Sequence, residues 1–155
     1  MKAKLLHEDD GQRTFALVFD TGDSVMDLLR AFAVQEKISG AQFTGIGAFG
    51  AATLGYFDWE KKDYVGRDFA EQMEVASLTG DVAVGPDRAP AIHVHCVLGR
   101  RDYSALAGHL VKATVRPTLE LVLTESPVHL RKKHDPNSGL ALIDLDSSTG
   151  SKPPT

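Results

Sequence analysis

What this chain lacks narrows its class before any motif does. Cys96 is its only cysteine, so no internal disulfide can form, and a reducing, cytoplasmic setting is expected. No apolar run approaches the roughly 20 residues that a membrane span requires, so no membrane association is expected. The N-terminal MKAKLLHEDDGQR turns acidic after one short apolar pair and does not read as a signal peptide. Positive charge is scarce as well. Seventeen Lys and Arg against 21 Asp and Glu leave a net charge of -4, which gives no electrostatic reason for nonspecific binding to a polyanion. No internal repeat and no linker divides the chain.

What is present reads as one globular domain. At 155 residues, 43% of them hydrophobic, the chain is long enough to bury a core of its own. Residues 4–7 and 14–19 predict short strands joined at Asp9, Asp10 and Gly11. TGDSVMDLLRAFAVQEKISG predicts the one clear helix. Ser24 and Asp27 have capping-box spacing, Val25, Leu28, Leu29 and Phe32 recur at helical spacing, and Gly40 sits where a stop belongs. In AQFTGIGAFGAATLGYFD the glycines suit bulged or closely packed strands better than a helix.

EQMEVASLTGDVAV predicts two strands broken at Thr79, Gly80 and Asp81, and AIHVHCVL predicts one strand. After a loop at 102–107, HLVKATV and TLELVLTES predict two more, separated at Pro117, with VHLRKK as a final edge strand. DSSTGSKPPT has nothing to bury and is expected to be disordered. The expected fold is an α+β domain over residues 1–145, with one main helix packed on a central, mostly antiparallel sheet, followed by a disordered tail over 146–155.

Chemistry centres on AIHVHCVLGR. Side chains alternate along a strand, so His93 and His95 share one face and Cys96 takes the other. Two neutral imidazoles side by side supply two of the three protein ligands of an open zinc site, and His109 of GHLV offers a third from the next strand. Ordinary polar positions on an open sheet face would give the same pattern. Gly45, Gly47 and Gly50 have GxGxxG spacing, but no amphipathic helix follows to receive a pyrophosphate, so a dinucleotide site is disfavoured. Glu74 and Glu120 read as solvent-facing strand carboxylates rather than general bases. Ser104 lacks a nucleophile elbow, and Arg131, Lys132, Lys133 and His134 read as a solvated edge. Trp59 and Tyr64 flank the charged EKKD turn and predict the cover of a hairpin end. No residue stands out as catalytic.

Taken in order, GIGAFGAATLGYFD, MEVASLTGDVAV, AIHVHCVLGR, GHLVKATVRPTLELVL and the later HDPNSGLALIDL resemble the plants and prokaryotes conserved (PPC) domain in its bacterial stand-alone form. The resemblance spans nearly the whole chain except the tail. It implies a central antiparallel sheet, a homotrimer, and a zinc ion held by three histidines, as in some prokaryotic members. Those ligand positions match His93 and His95 of HVH and His109 of GHL, while Ala107 stands where members often carry glycine. Plant members pair the domain with an AT-hook that binds AT-rich DNA, and this chain has no RGRP-like hook. Two readings follow. One is a homotrimeric metal-binding protein whose open site accepts a small anionic ligand, with no assigned reaction. The other is a DNA-binding or regulatory assembly module.

Overall fold

The alternating segments form nine strands and one helix in the computed structural model, which describes residues 1–148. β1 (Lys2–Asp9) and β2 (Gln12–Asp20) make the expected hairpin. Asp10 and Gly11 both have positive φ, 43° and 78°, as a two-residue turn matching strand twist requires. α1 (Val25–Gln35) follows the N-cap Ser24. The capping box does not close: the Ser24 hydroxyl donates to Asp27 Oδ2 at 2.6 Å and caps no backbone N–H. The helix also stops before Gly40. The Glu36 and Ile38 amides return to the carbonyls of Phe32 and Ala33, and Lys37 turns the chain with φ 54°.

The remaining strands are β3 (Gly40–Asp58), β4 (Asp63–Phe69), β5 (Met73–Val84), β6 (Pro90–Gly99), β7 (Ala105–Glu125), β8 (Lys132–His134) and β9 (Ala141–Ile143). They correct the expected fold class. The protein is mainly β rather than α+β, because segments expected to break run through as single long strands and only 11 residues are helical. Bulges absorb the glycines. β3 shifts register between Gly45 and Gly47, and a side chain at Gly45 would strike Leu121 Cδ2 and the Glu120 carbonyl. Pro117 does not split β7. It lies between the rungs Phe49↔Val115 and Gly47↔Leu119, so its missing N–H breaks no rung of that ladder. Nor does Gly80 interrupt β5, which pairs with β6 from Glu74 to Val84.

The seven-stranded sheet runs β1-β2-β7-β6-β5-β3-β4, with a further β7–β3 pairing that closes β3, β5, β6 and β7 on themselves. Its inner face carries the core: Phe43, Phe49, Leu98, Leu110, Leu119 and Leu121 are fully buried. α1 adds Val25, Met26, Leu29, Phe32 and Ala33 to that same cluster.

The C-terminal segment forms its own small hairpin, β8–β9, where a single edge strand over VHLRKK was expected. Its turn is held by Asp135, which accepts the amides of Asn137 and Ser138. The Lys62 ammonium, from the β3–β4 turn, bonds to the Asn137 carbonyl. Within the expected tail, Ser148 is buried, accepts the Arg131 amide and donates to the Asp144 carbonyl. Residues 149–155, the rest of that tail, lie outside the described residues. Among the described residues, no helix is long and apolar enough to cross a membrane.

Candidate metal centre

The outer face of β5, β6 and β7 gathers the three histidines. β6 alternates as its sequence predicts: Val94, Cys96 and Leu98 are buried in the core, so His93 and His95 project outward. His95 pairs directly with His109 of β7. That rung is the last of the β6–β7 ladder, and His93 lies two residues beyond it. The three rings cluster at centroid separations of 5.0, 5.2 and 5.5 Å. One ligand nitrogen from each lies within 4.8 Å of the others, the one such group among the described residues. Zinc–nitrogen bonds of about 2.0–2.1 Å in a tetrahedron require nitrogens roughly 3.4 Å apart.

The donor set fits a borderline-soft divalent ion. All three candidate ligands are imidazoles, and His109 Nδ1 is buried with no hydrogen-bond partner, a cost that coordination through that nitrogen would remove. Burial first, then the neighbouring His93, His95 and Lys132, push the His109 pKa down to about 4. Burial and then His93 lower that of His95. Both rings are therefore neutral near pH 7, the form that binds metal.

Two further groups shape the centre. Tyr64 of β4 stacks on His109, centroids 4.3 Å apart at 25°, and packs edge-on against Phe57. It reaches there because Gly55 intervenes between the two strands; a Cβ at Gly55 would come within 3.0 Å of the Tyr64 ring. Burial raises the Tyr64 pKa. Asp81 of β5 pairs with His93 in the β5–β6 register, and its Oδ2 lies 3.4 Å from His93 Nδ1. Its Oδ1 meets Lys132 Nζ of β8 at 2.7 Å. Burial raises the Asp81 pKa, but His93 and Lys132 outweigh it and hold the carboxylate below its ordinary value.

Of the residues the sequence singled out, His93, His95 and His109 come together. Cys96 does not join them; it faces the core, and burial pushes its pKa up to about 11. Glu74 and Glu120 are exposed strand positions. Ser104 donates to Asp102 within the β6–β7 turn. Trp59 lies in the β3–β4 turn, over which Lys62 places its ammonium. The basic run is not a uniformly solvated edge, because the Lys132 side chain is only 7% exposed.

Sequence reasoning missed Tyr64, Asp81 and Lys132 as neighbours of the site. Asp81 carried a usable signal: counting outward from the turn at 85–89 sets it opposite His93 once β5 is read as unbroken. Lys132 carried none, since its contact depends on how the C-terminal hairpin folds back.

Comparison with known proteins fits this architecture. A candidate DNA-binding protein of Bacteroides thetaiotaomicron is 29% identical, with 93% of this chain and 98% of that chain covered at a TM-score of 0.81. A metal-containing protein of Archaeoglobus fulgidus is 34% identical over 84% of this chain and 91% of that chain, at a TM-score of 0.77. A PPC protein of Pyrococcus horikoshii is 28% identical over 92% of this chain and 94% of that chain, at 0.79. No curated protein matches the chain. The sequence profile of the Plants and Prokaryotes Conserved (PCC) domain, abbreviated PPC above, matches residues 6–127. With that match across most of its length, and a relative above 30% identity over the same sheet, the chain belongs to the PPC domain family.

Proposed function

We propose that this protein is a cytoplasmic, homotrimeric metal-binding PPC-domain protein that holds one zinc ion per chain on His93, His95 and His109. The observation that carries the reading is the convergence of three imidazole nitrogens within 4.8 Å, one ring having a buried, unpartnered Nδ1. Three protein ligands leave a fourth position open, where the ion supplies Lewis acidity toward a small anionic ligand. His95 is exposed and the His93 side chain is 44% exposed, so such a ligand approaches from solvent. The metal content of the Archaeoglobus fulgidus relative supports the same reading.

The trimer is supported by an exposed apolar part of the outer sheet face. Ile46 and Val122 are 64% and 49% exposed there, in a shallow concavity whose lining includes Ala16, Val18 and one charged residue, Glu120. Burial of these side chains against another chain would favour association. Elemental analysis together with light scattering tests both parts. Purified protein dialysed against trace zinc is expected to hold one zinc per chain and to scatter as three chains. Metal-free protein, or a monomer at micromolar concentration, overturns the corresponding part.

A second reading, DNA binding, rests on the candidate DNA-binding description of the Bacteroides thetaiotaomicron relative. Against it stand the net charge of -4 and the diversion of Lys132 from the basic run into the fold. Titration with AT-rich and mixed duplexes at physiological salt is expected to give weak, unselective binding. Submicromolar, sequence-selective binding would reverse the ranking.

A further inference from the structure

The profile match ends at residue 127, and the hairpin β8–β9 lies beyond it. Yet one side chain of that hairpin runs back to the histidines. Lys132 is 7% exposed, far less than a lysine on a solvated edge, and its ammonium meets Asp81 Oδ1 at 2.7 Å. The other oxygen of the same carboxylate lies 3.4 Å from His93 Nδ1. Asp81 therefore has one oxygen on the lysine and one toward the histidine. Lys132 gives up most of its hydration to make this pair, a loss that its attraction to Asp81 only partly returns. Stability alone is a weak reason for such a pair.

A metal centre gives a stronger reason. A ligating histidine is held by what its other ring nitrogen touches, and a carboxylate there fixes both tautomer and ring orientation. A carboxylate on a short side chain can rotate away unless its second oxygen is tied. We infer that Asp81 and Lys132 are positioning residues of the metal centre: Lys132 fixes the Asp81 carboxylate, and Asp81 holds His93 by Nδ1, leaving Nε2 to the ion. The C-terminal hairpin is thereby part of the centre although it lies outside the matched domain. This inference rests on the zinc reading proposed above.

Zinc affinity of the full chain, measured by competition with a chromophoric chelator, tests it, with cobalt(II) absorption as a second readout of ligand geometry. Asp81→Asn is expected to weaken zinc binding by about tenfold or more, within the range for lost supporting contacts, and to shift the cobalt bands. Lys132→Met is expected to weaken it by up to about tenfold, and Lys132→Arg to restore wild-type affinity and spectrum. The sign is decisive for the lysine. A bare charge effect would make Lys132→Met bind zinc more tightly, since a cation beside the ion has been removed. Unchanged or tighter binding in Lys132→Met, or an unshifted cobalt spectrum in Asp81→Asn, overturns the inference. Thermal unfolding in excess chelator shows whether a variant is folded, and the near-isosteric Asp81→Asn keeps the test decisive if Lys132→Met loosens the hairpin. Wild-type protein that binds no zinc defeats the zinc reading itself. Wild-type binding matched by every variant defeats only the assignment made here.

Discussion

His95 and His109 face each other on the last rung between β6 and β7, their rings 5.5 Å apart. The spacing of directly paired residues is a property of the ladder, not of the side chains. Two of the three candidate ligands are thus brought together by backbone hydrogen bonding before any ion arrives. The third, His93, shares its face with His95 by strand alternation alone.

Replacing His93, His95 or His109 singly by Ala should therefore lower zinc affinity more than about 100-fold, beyond the effect of a supporting contact. The fold should persist, because the buried core under the site is formed by side chains such as Val94, Leu98 and Leu110. His7→Ala, on the exposed β1, should leave metal content unchanged. Elemental analysis and circular dichroism of the four variants check this.

The metal-free protein should lose stability as pH falls. His109 has an ordinary value of 6.5 and a folded value of about 4, so between these the unfolded chain binds the extra proton. Stability rises with pH wherever the unfolded state holds more protons. The His109 contribution should decline from about pH 6.5 to about pH 4 and flatten below. Urea midpoints in chelator across that range should show a shallower slope in His109→Gln than in the wild type.

Cys96 should resist alkylation in the native state. Its thiol is buried and its pKa is pushed up to about 11, so the reactive thiolate is scarce at pH 8. Mass spectrometry after iodoacetamide treatment should find the native protein unmodified and the urea-unfolded protein fully modified. Rapid labelling of native protein would contradict the burial.

Arg13 and Glu125 should behave as a buried pair. Arg13 Nε donates to Glu125 Oε2 at 2.6 Å, Glu125 is fully buried, and Arg13 also reaches Glu36. Removing one partner of such a pair costs about 3–5 kcal/mol. Arg13→Met, which takes the guanidinium from the fully buried carboxylate, should lower the denaturation midpoint accordingly, and Glu125→Ala should lower it less, because Arg13 keeps Glu36 and is partly exposed. A change within experimental error in both would mean the pair contributes nothing.

The clustering of the three candidate histidines was legible because its logic is local. Period-two alternation separates His93 and His95 from Cys96, and a chain turn brings His109 alongside. The first hairpin, the helix and the β3–β4 turn were legible for the same reason. Fold class was misjudged at Gly80 and Pro117, where residues that usually interrupt strands are accommodated by close approach and by a register shift. The local pattern at those positions is that of a break, and only the partner strands override it. Lys132 and Tyr64 were illegible on the same account. One is buried by a hairpin folding back, and the other reaches His109 across the space that Gly55 leaves open.

The β5–β6 ladder, regular from Ser77 to Val84 beyond a bulge at Val75 to Ser77, carries one more consequence, for how this sequence can vary. It sets Asp81 against His93 and Thr79 against His95 on one face, with Leu78 against Cys96 on the other. A single-residue insertion or deletion inside β6 that slid the following residues by one place would exchange the faces. Imidazoles would be driven in among Phe43 and Leu110, while Cys96 and Leu98 turned outward. Length changes should therefore be tolerated in the 85–89 turn and excluded between residues 90 and 99, even though several side chains in that span are individually replaceable.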